Sequence, residues 1–257
     1  MTSPASLPPE VDAALRHTAQ LCSDYLQGVV FLAMDTARNS DYSNTHLLTF
    51  AIDEFFEVAV AIPDLARGAC YNTCRRELRF LLEASIKLCF VQQSSAQSTI
   101  EDKLVIFQRE LDSSSISLKN SVSLDLLPEI DREELSSQVG RLYGETSKFV
   151  HLTVHQLESR MRIAGQGHAP ASLSKESLIS LNESIEKTLS ASFVYLSHSV
   201  PQYAAADFLV RRDGSSNEWC LGSNRFIALL DEHFDYKHER TRNLQSIRNT
   251  RWARVDA

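Results

Sequence analysis

ELSSQVGRLYGETSKFVHLTVHQLESRM, residues 134–161, is the longest clean helical pattern in the chain, and its reading decides the fold. Leu135, Val139, Leu142, Thr146, Phe149, Val150, Thr153, Leu157 and Met161 recur at steps of three and four, one apolar stripe of an α-helix. Beside that stripe fall Gly140, Gly144, Ser147, His151, His155 and Glu158. A glycine inside a helix costs about 1 kcal/mol relative to alanine, so two of them predict the close approach of a second helix. That helix would enclose Ser147 and His151.

The rest of the chain agrees with a helical reading. Only 8 glycines and 7 prolines interrupt 257 residues, and 43% apolar with 23% charged residues is the balance of a globular protein with a sizeable core. No apolar run reaches the length of a membrane span. The opening MTSPASLPPEVD lacks the basic-then-apolar order of a secretory signal, and residues 1–8 read as a disordered lead-in. Five cysteines, Cys22, Cys70, Cys74, Cys89 and Cys220, are an odd number, mostly on apolar faces, which suits a reduced, cytoplasmic location.

Taken in order, the first helix is expected from Pro9 to about Arg38, and Asn44 or Thr45 then caps a second, from Thr45 to Ile62. This second helix is apolar nearly all round and is expected to be central, with Pro63-Asp64 ending it. A third runs from Pro63 or Asp64 to Val91, with Cys70, Cys74, Leu78, Leu81, Leu82, Leu88 and Cys89 as its stripe. Ser98-Thr-Ile-Glu101 is a capping box opening a short helix to Leu111. The serine-rich DSSSISLKNSVSLD beyond it reads as a mobile loop, and GQGHAPAS after Ile163 as a flexible link. Ser174 caps a helix to Val200. Shorter pieces at Ala204–Val210, Phe226–Phe234 and Glu239–Trp252 close the chain. The expectation is an all-α bundle of seven to nine helices. Residues 9–200 would form its core and 201–257 a helical extension with a basic tail.

No nucleotide loop, dinucleotide fingerprint, zinc-protease or hydrolase motif is present, so candidate chemistry rests on constellations. Ser147 and His151 lie four apart, preceded by Tyr143 and followed by His155. An imidazole near neutrality serves as general acid or base, and a neighbouring hydroxyl holds a substrate oxygen. The same spacing equally describes a core histidine satisfied by a carboxylate such as Glu83. Arg79, Glu83 and Lys87 form an i,i+4 row, a solvated edge on the plainest reading.

RRELRFLLEASIKL, followed some fifty residues on by LYGETSKFVHLTV, resembles the layout of HEPN-like all-helical proteins. Arg79, Glu83, Tyr143, Ser147 and His151 carry the match, over about residues 64–161. The resemblance implies a HEPN-like core, homodimers, and a metal-independent endoribonuclease or its effector relative in prokaryotic stress or phage defence, with RNA or an antitoxin as partner. Such ribonucleases carry an Arg, a polar residue, and a His four to six residues on. Here Ile163 follows Arg162 ahead of His168, and Arg38-Asn39 stands too far from His46. Cleavage would take the 2′-hydroxyl proton onto a His and set an Arg against the phosphate charge. A noncatalytic dimeric interaction module that binds a protein partner is the alternative.

Two further groups are candidates. Cys70 with Cys74 and His151 with His155 have the spacing of a Cys2His2 zinc site, though packing accounts for the cysteines as well, and no metal or other cofactor is expected. From Tyr236 to Ala257, six cations (Lys237, Arg240, Arg242, Arg248, Arg251, Arg254) face two anions, a net of +4, while the whole chain carries −7. Arginines interleaved with Tyr236 and Trp252 suit nucleic acid, an acidic partner, or docking of a terminal helix on its own domain.

Overall fold

Pro9 sits at the first turn of α1 (Pro9–Ala37), where its missing N–H costs nothing, and Glu10 and Asp12 complement the positive end of the helix dipole. The computed structural model describes residues 7–111, 116–150, 154–165 and 173–256. After α1, Asn39 caps the single turn α2 (Ser40–Ser43), and His46, not Asn44 or Thr45, caps α3 (Leu47–Arg67). Pro63 does not end α3. The helix runs through it for another turn, held by Ile62 and Ala66, both fully buried. The corner into α4 (Tyr71–Ser94) is made by Ala69, whose φ of 53° lies in the left-handed region, while the Cys70 amide donates to the Leu65 carbonyl at 2.8 Å. Thr99, one residue beyond the expected cap, holds the start of α5 (Ile100–Leu111) by accepting from the Asp102 amide. Then come α6 (Glu129–Ser147), α7 (Val154–Gly165), α8 (Lys175–Ser199, capped by Ser174 as expected), α9 (Gln202–Leu209), α10 (Arg225–His233) and α11 (Leu244–Val255). The described residues thus form an all-helical bundle of eleven helices without a strand, more than the seven to nine expected, because short helices and a helix break add to the count.

The centre is α8, not α3. From Thr188 to Leu196 every residue of α8 is buried, with α4 on one side and α1 on another. Gly28 of α1 is required by this closeness: a Cβ there would stand 2.6 Å from the Phe193 ring. By contrast, α3 covers α1 with one face and leaves Phe50 58% and Phe56 49% exposed on the other. Residues 201–256 pack back onto the bundle, where Trp219 meets the rings of Phe193 and Phe208, each at 4.9 Å between centroids. In the serine-rich stretch, residues 112–115 lie outside the described residues. The segment after them is packed, not loose: Val122, Leu124, Leu126 and Leu127 are buried, and the Gln93 amide exchanges hydrogen bonds with the Ser123 backbone.

Two neutral imidazoles, His46 buried and His198 partly so, stitch these segments, each donating one hydrogen bond and accepting another. His46 donates through Nε2 to the Ser199 carbonyl at 2.8 Å and accepts the Leu48 amide at Nδ1. His198 donates through Nδ1 to the Val194 carbonyl at 2.7 Å and accepts the Leu126 amide at Nε2. Burial lowers both pKa values, each to about 4. With the folded pKa below the unfolded one, the unfolded chain binds more protons in that interval, so stability is full above about pH 6.5 and is lost as pH falls towards about 4. Urea midpoints between pH 7 and 4 are expected to fall steadily, and the dependence should weaken in His198→Asn, which cannot take up the second proton.

Candidate functional site

Where the sequence pattern is continuous, the helix is not. α6 ends at Ser147 and α7 begins at Val154. Past the end of α6, side chains bond the carbonyls of Lys148 and Phe149: Gln156 Nε2 donates to the Lys148 oxygen at 3.0 Å, and Arg76 Nε to the Phe149 oxygen at 2.6 Å. The glycines also have a different explanation from the one expected. Gly140 has the Lys119 side chain 3.7 Å from where its Cβ would be, and Gly144 has nothing within 4 Å, so neither marks a close helix crossing.

The end of α6 meets α4 at a cluster of cations. Arg79 lies over the Tyr143 ring at 4.5 Å and donates through Nη2 to the Tyr143 hydroxyl at 2.6 Å. Arg75 covers the Phe149 ring at 4.9 Å. Three arginines at the negative end of the α6 dipole are favourable in themselves, and a partly desolvated cation–π contact adds about 1–2 kcal/mol. Glu83 stands between Arg79 at 3.6 Å and Lys87 at 2.6 Å. This row is no solvated edge, since the Lys87 side chain is 3% exposed. Ser147, at the last turn, donates its hydroxyl back to the Tyr143 carbonyl at 2.5 Å. The structure therefore brings together Arg79, Glu83, Tyr143 and Lys87, with Ser147 one turn on and turned back onto its own helix. His151 and His168 lie outside the described residues.

Beside this node runs a groove of about 540 Å³, bounded by α3, α4, α5 and Val150. Its walls are mainly apolar, from Ala51 and Phe55 of α3, Phe80, Ala84 and Leu88 of α4, and Phe107 of α5. Sequence periodicity missed it. The available signal was Phe80, an aromatic set among Arg76, Arg79 and Glu83 on the charged side of the α4 stripe and 41% exposed.

The other candidates are placed differently. Cys70 is exposed at the corner before α4, whereas Cys74 is fully buried, directs its thiol to the Ile62 carbonyl, and has its pKa pushed up to about 12 by burial. Among the described residues no group of three or more His, Cys, Asp or Glu could hold a metal ion. Arg38 pairs with Asp35, Asn39 caps α2, and Arg162 is exposed.

The basic tail is mostly spent inside the fold, which corrects the expectation that Arg240 and Arg251 face nucleic acid. Arg240 is fully buried and binds Asp231, Asp235 and the Gly214 carbonyl. Gly214 has a φ of 83°, and a Cβ there would collide with the Glu239 backbone. Arg251, 2% exposed, bonds Asp231 and Asp235 at 2.6 Å each, Arg248 bonds Asp235, and Lys237 pairs with Asp207. Burial pushes the Asp235 carboxyl up, but its bonds from Arg251 and Arg248 outweigh this and hold it below the ordinary value. Of the five tail cations expected at nucleic acid, Arg242 is exposed and has no ion pair among the described residues.

Comparison with family models, with curated proteins and with solved structures finds no match for this chain.

Two substitutions test these contacts. Tyr143→Phe keeps the ring beneath Arg79 but removes the hydroxyl acceptor, and should cost about 1–2 kcal/mol in urea unfolding, with Tyr143→Ala clearly worse. Asp231→Asn leaves Arg240 and Arg251 short of a buried counter-charge, and a loss of about 3–5 kcal/mol is expected, against almost none for Arg242→Ala.

Proposed function

We propose that this chain is a noncatalytic, HEPN-like helical interaction protein, in which the motif residues fasten helices instead of turning over RNA. The observation that carries this reading is the state of the node. The Arg79 guanidinium is stacked on Tyr143 and bonded to its hydroxyl, Glu83 is neutralised between two cations, and the Ser147 hydroxyl is given to its own helix. A phosphate or a 2′-hydroxyl would compete with these contacts for the Arg79 Nη2, the Glu83 carboxylate and the Ser147 hydroxyl proton. The α3 face with Phe50, Phe56 and Val60 half exposed beside Asp53, Glu54 and Glu57 suits a protein partner, a second copy or an antitoxin-like chain among them.

One observation favours the second reading, a metal-independent endoribonuclease. Two motifs some sixty residues apart do meet, Arg79 on Tyr143, at the rim of an open groove that Val150, the neighbour of His151, helps to line. Incubation of the purified protein with labelled RNA in EDTA separates the two readings. Wild type, His151→Ala and His168→Ala are expected to leave the RNA equally intact. Cleavage by wild type that either substitution abolishes would replace the first reading with the second.

A further inference from the structure

Asp53, Glu57, Val60 and Asp64 follow one another along α3 at steps of four, three and four, so they form one row on its outer face. At about 100° per residue, Phe50 and Phe56 fall on opposite sides of that row. Both rings and Val60 are about half exposed. Asp53 lies three residues from each ring, a carboxylate set between two open phenyl faces.

This face is unmatched in charge as well as in apolar surface. The helix holds four carboxylates and one cation, Arg67 in its last turn. Asp53, Glu57 and Asp64 are exposed and make no ion pair or side-chain hydrogen bond among the described residues. Asp53 and Glu57, four apart, repel each other along the helix. In the tail, by contrast, Asp231 and Asp235 are matched by arginines of the same chain. Local conflicts of this kind, left standing on a surface, mark the place where a partner resolves them.

Charge decides which partner. Nucleic acid and an anionic membrane would both meet carboxylates. A second copy laid face to face would set Asp53, Glu57 and Asp64 against the same three groups. A cationic apolar surface relieves both conflicts. Arginine suits it best, because a planar guanidinium can lie on either phenyl ring while it donates to Asp53. The backbone of α3 is bonded within the helix, so an extended peptide would find no edge to pair with, whereas a partner helix arrives with its own backbone satisfied.

We infer that the outer face of α3 docks an arginine-bearing amphipathic helix of a different protein, with one guanidinium on Asp53 between Phe50 and Phe56 and others on Glu57 and Asp64. The inference rests on the noncatalytic interaction reading and names the chemistry of its partner.

The test is fluorescence anisotropy of a labelled synthetic helix of about eighteen residues, leucines on one stripe and arginines on both sides of it, titrated with the full chain. A peptide of the same composition with its leucines scattered should bind at least about tenfold more weakly. Asp53→Asn should weaken the amphipathic peptide about fivefold, and Phe50→Ser combined with Phe56→Ser at least about tenfold. All three positions are exposed, so the circular dichroism should not change. Glu133→Gln with Glu145→Gln, exposed carboxylates of α6, should leave the affinity as it was. Equal binding of the scattered peptide, or equal loss in the α6 variant, would overturn the proposal. So would self-association of the chain in light scattering, or binding of phosphatidylglycerol vesicles, that the two serine substitutions remove. The RNA assay reports separately: no peptide binding with RNA intact removes the α3 site and leaves the noncatalytic reading standing.

Discussion

The structure depends on a helix with no outside. Most helices in a bundle bury one stripe and wet the other, but the second half of α8 is enclosed on every side. The chain meets this with small hydroxyls at the crowded positions. Ser192 bonds the buried Tyr25 hydroxyl at 2.7 Å, and Asn182, nearer the start of the helix, bonds Thr18 at 2.6 Å and the Ala14 carbonyl at 2.9 Å, tying α8 to α1 along its length. Thr188, Ser190, Ser197 and Tyr195 are buried with no partner for their hydroxyls among the described residues. Each such group carries a desolvation cost of about 1–3 kcal/mol, which the apolar burial around Leu189, Phe193 and Leu196 must exceed. Because α8 covers the back of α4, only the front of α4 is left to face α3 and α6. The polar node and the groove lie on that front.

At the node, the order of forces explains why a helix that the sequence would continue stops instead. One more turn would gain a few backbone hydrogen bonds, each about 1 kcal/mol net. Stopping exposes the carbonyls of Lys148 and Phe149 to Gln156 and Arg76, and allows Arg75 and Arg79 to stack on Phe149 and Tyr143. The bond from Arg76 is charge-assisted, a class roughly twice as strong as neutral ones, and it sits at the negative end of the α6 dipole. The break is thus fixed from α4, some seventy residues earlier in the chain. A window around Val150 contains Gln156 but not Arg75, Arg76 or Arg79.

The same distinction separates what was legible from what was not. Helix starts set by local chemistry, Pro9 for α1 and Ser174 for α8, are readable because the cap and the helix are neighbours. The centre of the bundle was not readable: α3 is the more apolar sequence, yet it lies outside, while the serine-bearing α8 lies inside. Mean apolarity does not record how many neighbours surround a helix. Pro63 misled for a related reason, since burial of Ile62 and Ala66 outweighs one lost hydrogen bond. In the tail, the basic run was visible, but its counter-ions Asp231 and Asp235 lie outside it in sequence, so a buried clasp read as a charged surface.

That clasp bears on what kind of partner the molecule can hold. Affinity for a polyanion comes from cations that exchange small counter-ions for phosphates, and a cation already bonded to a carboxylate has little left to exchange. Lys237, Arg240, Arg248 and Arg251 are bonded to Asp207, Asp231 and Asp235, so the +4 of residues 236–257 is largely balanced within the fold. The chain as a whole carries a formal charge of −7, so the charge left over is acidic. The node is paired in the same way: Arg79 and Lys87 flank the Glu83 carboxylate, and Arg79 stacks on the Tyr143 ring, so the cations of the motif segment are matched within the fold like those of the tail.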